Sequence, residues 1–267
     1  MFETYPFLYK GECSMGYPTN ENEALDTICW SADVDTEEEL NAILDTIPQL
    51  RIIKIDRLGV ALMGHEVIDR TRARGLAVFD DAKLIEIPTK LQKLAEVEVA
   101  HRPWMLNCMA GSLSNEDWKN PNPAKLDGLK RFTYVCAEAG VKSCAVTVLT
   151  SKAEETVLRE FGRSSNDQVR FYTEALIAAG FTDMVCSPLE AQTIQEEFGA
   201  DAPDRNCPGV EMPGGDSSDQ ARKATPSDAL CNGAMRLVIG RALTGPNAAA
   251  NLKAIVDHIL AGAPQVN

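Results

Sequence analysis

The residues best placed to do chemistry are four charges spread over the first third of the chain. In Val78-Phe79-Asp80-Asp81-Ala82-Lys83-Leu84-Ile85-Glu86-Ile87-Pro88, Asp81 and Lys83 stand two apart. On an extended strand both side chains project to the same side. Asp33 closes an earlier apolar run and Lys54 lies near the end of the next. For any one of these the plain reading is a solvated surface charge, or a solvated ion pair for Asp81 and Lys83. Four alternating acids and bases at the ends of apolar runs point instead to a charge network able to hold a polar ligand and move a proton.

A second group of residues suits an anion. Cys207-Pro208-Gly209 opens a stretch carrying Gly214, Gly215, Asp216 and Ser217, which runs to Asp219-Gln220-Ala221-Arg222 and is followed by Val238-Ile239-Gly240-Arg241. Glycines let a backbone close around a phosphate. An arginine such as Arg241 can grip one with two parallel hydrogen bonds. A glycine-rich stretch is more often a flexible turn, and the arginine beside it is what favours the phosphate reading.

Positioning these groups requires strands, and the chain alternates short apolar runs with segments of helical periodicity, the pattern of β/α units. Strands are expected at Thr27 to Ala32, Arg51 to Ile55, Leu76 to Phe79, Trp104 to Cys108, Ser143 to Leu149, Asp183 to Cys186 and Leu237 to Gly240, with a polar, short eighth at Arg205 to Cys207. Between them, Thr36 caps a helix over Glu37 to Ile47 with Leu40, Ile43 and Leu44 on one face. Pro88 opens another with Leu91, Leu94 and Ala95 in register. Eight such units in 267 residues predict an α/β protein of the (β/α)8 TIM-barrel type. A doubly wound open sheet is the alternative, but Gly-x-Gly-x-x-Gly after the first strand is absent. In a barrel the reacting groups gather at the carboxyl ends of the strands, with phosphate sites after strands seven and eight. Residues 1–24 read as an amino-terminal extension, residues 25–267 as a single barrel domain, and Ser114 to Asp127, rich in Asn and Pro, as a polar surface loop.

Composition narrows the function classes. Hydrophobic residues make up 45% and charged residues 24%, which excludes fibrous and wholly disordered chains. With 26 basic against 39 acidic residues, the net charge of −13 argues against a nucleic-acid partner. Uncharged apolar runs such as Ala175 to Phe181 are too short to span a bilayer, and Met1 to Glu12 lacks the basic-then-apolar order of a signal peptide. The eight cysteines, with no Cys-x-x-Cys pair, read as reduced, buried small hydrophobes of a cytoplasmic protein. His65, His101 and His258 are too few and too scattered for a metal cluster or a His-based triad.

Taken in order, these motifs resemble orotidine 5'-phosphate decarboxylase of the bacterial type, from about Asp26 to Leu260. The family's Asp-x-Lys-x-x-Asp-Ile-Pro signature is similar to Asp81-Ala82-Lys83-Leu84-Ile85-Glu86-Ile87-Pro88, its first-strand Ala-Leu-Asp to Ser31-Ala32-Asp33, and its second-strand lysine to Lys54. Ala145 to Ser151, Val185 to Ala191, Asp219-Gln220-x-Arg222 with Thr225-Pro226, and Val238 to Arg241 also resemble family segments in the same order. Matches that recur in this order are specific where a single one is not.

The resemblance implies decarboxylation of orotidine 5'-phosphate to uridine 5'-phosphate in pyrimidine nucleotide synthesis, by a homodimer with shared sites and with no metal or organic cofactor. It implies that Asp33 holds the ribose, Lys54 links substrate to the charge network, Lys83 protonates the pyrimidine C6 and Asp81 sits beside the departing carboxylate. Thr150 would read the pyrimidine edge, Gln220, Arg241 and the adjoining Gly240 the phosphate, and the stretch from Pro208 to Asp219 would close on it. Glu86 occupies the position whose aspartate reaches into the partner's site. Two like charges about 4 Å apart at an effective dielectric near 20 repel by roughly 4 kcal/mol. Asp81 therefore either raises the ground state of a bound carboxylate or keeps Lys83 charged and oriented. The chain departs from the family at Glu86, at Asp56 where a glycine is usual, at Met109 in place of a histidine, and at Glu211 in place of an arginine. Those departures leave two alternatives: a divergent member acting on another nucleotide or sugar phosphate, and a nucleotide-binding homologue without turnover.

Overall fold

The protein is described by a computed structural model that covers residues 16–112, 126–212 and 223–263. Eight parallel strands close into a barrel in sequence order: β1 Ile28–Ser31, β2 Ile52–Asp56, β3 Ala77–Leu84, β4 Met105–Met109, β5 Lys142–Val146, β6 Asp183–Val185, β7 Asp204–Cys207 and β8 Arg236–Ile239. Closure comes from pairing of β8 with β1, Cys29 opposite Val238. All eight expected strands form, including the short polar one, which becomes β7. The open-sheet alternative is excluded by the closed strand order.

Helices α1 Glu21–Asp26, α2 Glu37–Thr46, α3 Arg57–Met63, α4 Glu66–Ala73, α5 Pro88–Val99, α6 Asp127–Glu138, α7 Glu154–Phe161, α8 Ser165–Ala179, α9 Pro188–Phe198, α10 Pro226–Cys231 and α11 Ala248–Ala261 accompany the strands. Their starts follow local sequence. Thr36 accepts the Glu39 N–H at the head of α2, and Pro88 stands in the first turn of α5. Helix α1 spans the expected boundary between residues 24 and 25, with Ala24 and Leu25 both buried in the core. The Asn/Pro-rich loop before Asp127 lies outside the described residues.

Strand alternation divides the core in two. Outward residues such as Trp30, Ile53, Ile55 and Leu106 pack under the helices. Inward residues Cys29, Ile52, Phe79, Met105, Cys144 and Val238 fill the barrel's interior. Below this apolar layer, toward the strand N-termini, fully buried Asp183 pairs with Lys142 at 2.9 Å and Arg236 at 2.7 Å. Above it, the inward positions become polar: Ser31, Lys54, Asp81 and Asn107. An ion-paired floor and an apolar middle layer thus leave polar chemistry only at the carboxyl rim.

Cysteine chemistry corrects one expectation. Cys29, Cys108, Cys136, Cys144, Cys186 and Cys207 are free and buried, and burial pushes the Cys29 and Cys136 thiols up to about 12, so they are inert. Cys231, at the end of α10, is instead disulfide-bonded. Sequence spacing does not reveal which cysteines come within bonding distance, so the reading of all eight as reduced fails here. Cys13 lies outside the described residues.

Candidate active site

The carboxyl rim surrounds a cavity of about 680 Å³. Its lining includes the expected Asp33, Lys54, Asp81, Lys83, Thr150 and Arg241. Pro208 and Gly240 line it too. Gln220 lies outside the described residues, as does the rest of its stretch from 213 to 222.

At the centre is the Asp81 carboxylate. Lys54 Nζ donates to its Oδ2 at 2.6 Å, and Lys83 Nζ donates to the same oxygen at 2.5 Å. The other oxygen, Oδ1, accepts from Asn107 Nδ2 at 2.6 Å. Asp81 is almost fully buried, with its side chain 6% exposed, while Lys83 at 39% reaches into the cavity. Burial pushes the Asp81 carboxyl upward, but the two ammonium groups outweigh it and hold it below the usual carboxylate range. Burial likewise disfavours the Lys54 cation, and Asp81 more than restores it. The triad carries two positive charges and one negative, so it presents a net positive charge to whatever occupies the cavity.

The way Asp81 and Lys83 meet differs from the spacing argument. Phe79 and Asp80 pair with Met105 and Leu106 of β4, and the next paired residue, Leu84, sits opposite Cys108. Three residues of β3 therefore bulge opposite Asn107 alone. The surplus length is absorbed at Lys83, whose φ of 46° is left-handed. For a non-glycine residue that conformation costs on the order of 1–3 kcal/mol and persists only where its surroundings impose it. Strand alternation by itself would leave the two side chains parallel; the bulge folds Lys83 back onto Asp81.

Asp33 lines the same cavity at an exposed position. Gly240 stands against it: a Cβ there would lie 3.2 Å from Asp33 Oδ2, so a larger residue would crowd the Asp33 carboxylate. Arg241 follows in a short 3-10 turn, Arg241–Leu243, on the same rim. Glu86 is not among the residues that line the cavity. Its side chain accepts the Ile87 N–H at 3.0 Å and lies 4.0 Å from Lys90, at the head of α5.

Two of the departures have local explanations. Asp56 is the N-cap of α3, its Oδ1 accepting the Gly59 N–H at 2.9 Å. Glu211 does line the cavity, but Lys223 pairs with it at 3.3 Å, so the added anion is balanced where it stands. Asn107 is the residue that sequence reading passed over. Two positions after Met105 on β4, it falls on the inward face, and that alternation was the available signal.

A sequence profile described as the orotidine 5'-phosphate decarboxylase / HUMPS family matches residues 26–255. The chain belongs to this family. Among the relatives, the orotidine 5'-phosphate decarboxylase of Nitrosomonas eutropha is 32% identical over 232 residues, covering 86% of this chain and 94% of that protein. The enzyme of the same name from Halorhodospira halophila is 34% identical over 233 residues, 84% of this chain and 90% of its own length. The crystal structure of orotidine 5'-phosphate decarboxylase from Lactobacillus acidophilus superposes with a TM-score of 0.71 at 24% identity, covering 88% of this chain and 99% of that one. That likeness bears on the fold, and it is the same closed barrel. Asp81 and Lys83 stand in the last half of β3, within the matched range, where the charge network lies. Among the described residues no group of three or more His, Cys, Asp or Glu side chains is arranged to hold a metal ion, and no helix is long and apolar enough to cross a membrane.

Proposed function

We propose that the protein decarboxylates orotidine 5'-phosphate to uridine 5'-phosphate, a carbon–carbon lyase step of pyrimidine nucleotide synthesis that uses only its own side chains. The observation that carries this reading is the Lys54–Asp81–Lys83 network opening on a cavity that also presents Asp33, Thr150 and Arg241. Heterolysis of the bond from C6 to the carboxylate releases carbon dioxide and leaves the electron pair on C6. The Lys83 ammonium, the exposed cation of the triad, stabilises that developing charge and then gives C6 its proton. Solvent reprotonates the amine.

Asp81 serves to charge and orient the lysines. Both of its oxygens are already engaged, one by two ammonium groups and one by an amide, and this supports an anchoring role over simple repulsion of a substrate carboxylate. Asp33 takes the ribose, Thr150 the pyrimidine edge, and Arg241 with Gln220 the phosphate, the backbone at Pro208 and Gly240 shaping the pocket between them.

The protein acts as a homodimer in which Glu86 completes the partner's site. Exposed Leu58 and Leu62 on α3, and Ile85 and Ile87 on either side of Glu86, supply apolar surface beside the rim that a second copy would cover. A cytoplasmic location is supported by the six free, buried cysteines, with the Cys231 bond as the exception. The deciding experiment adds orotidine 5'-phosphate to purified protein with chelator present and follows the ultraviolet change of the pyrimidine. Conversion is the expected result. Turnover abolished by chelator would select a metal-dependent sugar-phosphate type of chemistry, and tight uridine 5'-phosphate binding without conversion would select a non-catalytic homologue.

A further inference from the structure

We propose that Asn107 is the positioning residue of the Asp81–Lys83 pair, a single amide that imposes the bulge on β3 and clamps the carboxylate at the same time. This rests on the decarboxylase reading for its functional meaning, and on geometry alone for its structural one.

Where three residues of one strand face one residue of its neighbour, the ladder has too few carbonyls for the N–H groups on the longer side. The Lys83 N–H is such a group, and it donates to the Asn107 side-chain Oδ1 at 2.7 Å instead of to the β4 backbone. A backbone N–H can only donate, so the atom facing it must be the amide oxygen; this settles the orientation of the side chain. The NH₂ group is then turned toward Asp81 Oδ1, which it meets at 2.6 Å. Asn107 is fully buried, so neither bond can be exchanged for one to bulk water.

The two bonds act on both members of the pair. One stabilises the left-handed backbone at Lys83, a conformation that costs energy for a residue with a β-carbon. The other fixes the carboxylate plane so that Oδ2 points at both ammonium groups. Leucine would keep the volume and lose both bonds. Aspartate would keep an acceptor for the Lys83 N–H but, when ionised, set a second carboxylate against Asp81 Oδ1.

The test uses Asn107→Leu and Asn107→Asp in the full chain. In crystals of Asn107→Leu, Lys83 should leave the left-handed region and its Nζ should separate from Asp81. In turnover of orotidine 5'-phosphate, kcat should fall roughly 10- to 100-fold, as expected for loss of hydrogen bonds to a charged group, with KM changed by less than about threefold. Asn107→Asp should recover activity as pH falls, because one proton shared between the two carboxyls restores the donor. An unaltered Lys83 backbone with its Asp81 contact intact would overturn the proposal. So would an Asn107→Asp to wild-type activity ratio that stays flat with pH, a readout that serves equally if the leucine variant does not fold. Wild-type turnover tests the decarboxylase reading separately; were it absent, the variant crystals would still decide the role of Asn107.

Discussion

Asp80 points the other way from Asp81, out of the barrel and under the helices, and it makes a sharp prediction about stability. It is 1% exposed, and its Oδ2 has no hydrogen-bond partner. Burial, reinforced by the nearby Glu98 carboxylate and opposed by Arg57, pushes its carboxyl up to about 8. Glu98 is itself buried, bound to Arg57 at 2.6 Å and to His65 at 2.8 Å. The folded protein therefore holds a proton on Asp80 at neutral pH, whereas the unfolded chain releases it above about 3.9. Because the folded state binds the extra proton, stability falls as pH rises from the unfolded value through the folded one. Between pH 6 and pH 9 a folded value near 8 corresponds to a loss of about 2–3 kcal/mol from this one group. For a domain of this size that is roughly 5–10 °C in melting temperature. Asp80→Asn has the same shape and cannot ionise. The variant should match wild type near pH 4 and melt progressively higher as pH rises, with the gap opening between about pH 4 and pH 8 and levelling off above that. Thermal unfolding of both proteins across that range measures it directly, since every other titrating group is common to the two. Parallel curves would mean that Asp80 is ionised in the fold and that the account of its surroundings is wrong.

Other expectations concern the rim. Lys83→Ala should lower kcat by roughly 10²- to 10⁴-fold, the usual contribution of a positioned general acid, while uridine 5'-phosphate binding measured by calorimetry stays within the same range; retained turnover would remove Lys83 from the chemistry. Lys54→Met leaves the buried Asp81 with one cation instead of two and should cost about 3 kcal/mol of stability by urea unfolding; an unchanged unfolding midpoint would mean that Lys83 alone neutralises Asp81. Gly240→Ala places a methyl group 3.2 Å from Asp33 Oδ2 and should raise KM roughly tenfold with little change in melting temperature. If sites are shared, co-refolded Lys83→Ala and Glu86→Ala subunits should regain about a quarter of wild-type activity, since half the dimers then carry one intact site of two; no recovery would place Glu86 outside catalysis.

The barrel was legible in the chain because each β/α unit announces itself locally. Apolar runs such as Arg51 to Ile55, a cap such as Thr36 and an opening proline such as Pro88 act within one element, and periodicity of two or 3.6 residues is enough to read them. Once eight units are counted, closure puts Asp33, Lys54, Asp81, Lys83, Thr150 and Arg241 on one rim. The motifs added the family, which the profile match to residues 26–255 bears out.

Tertiary structure decided what depends on two elements meeting. The bonding of Cys231, the balancing of Glu211 by Lys223 and the burial of Asp80 against Glu98 depend on residues of different elements meeting, and no local pattern encodes such distances. The role of Asn107 is of the same kind. Its identity is polar and unremarked in sequence, and it matters only because β3 runs longer than β4 at that point, leaving Lys83 in a left-handed turn with an N–H that one side chain must satisfy. Strand number and rim position follow from periodicity along the chain; the contact between Asp81 and its lysines follows from register between neighbouring strands, which is a property of the folded sheet.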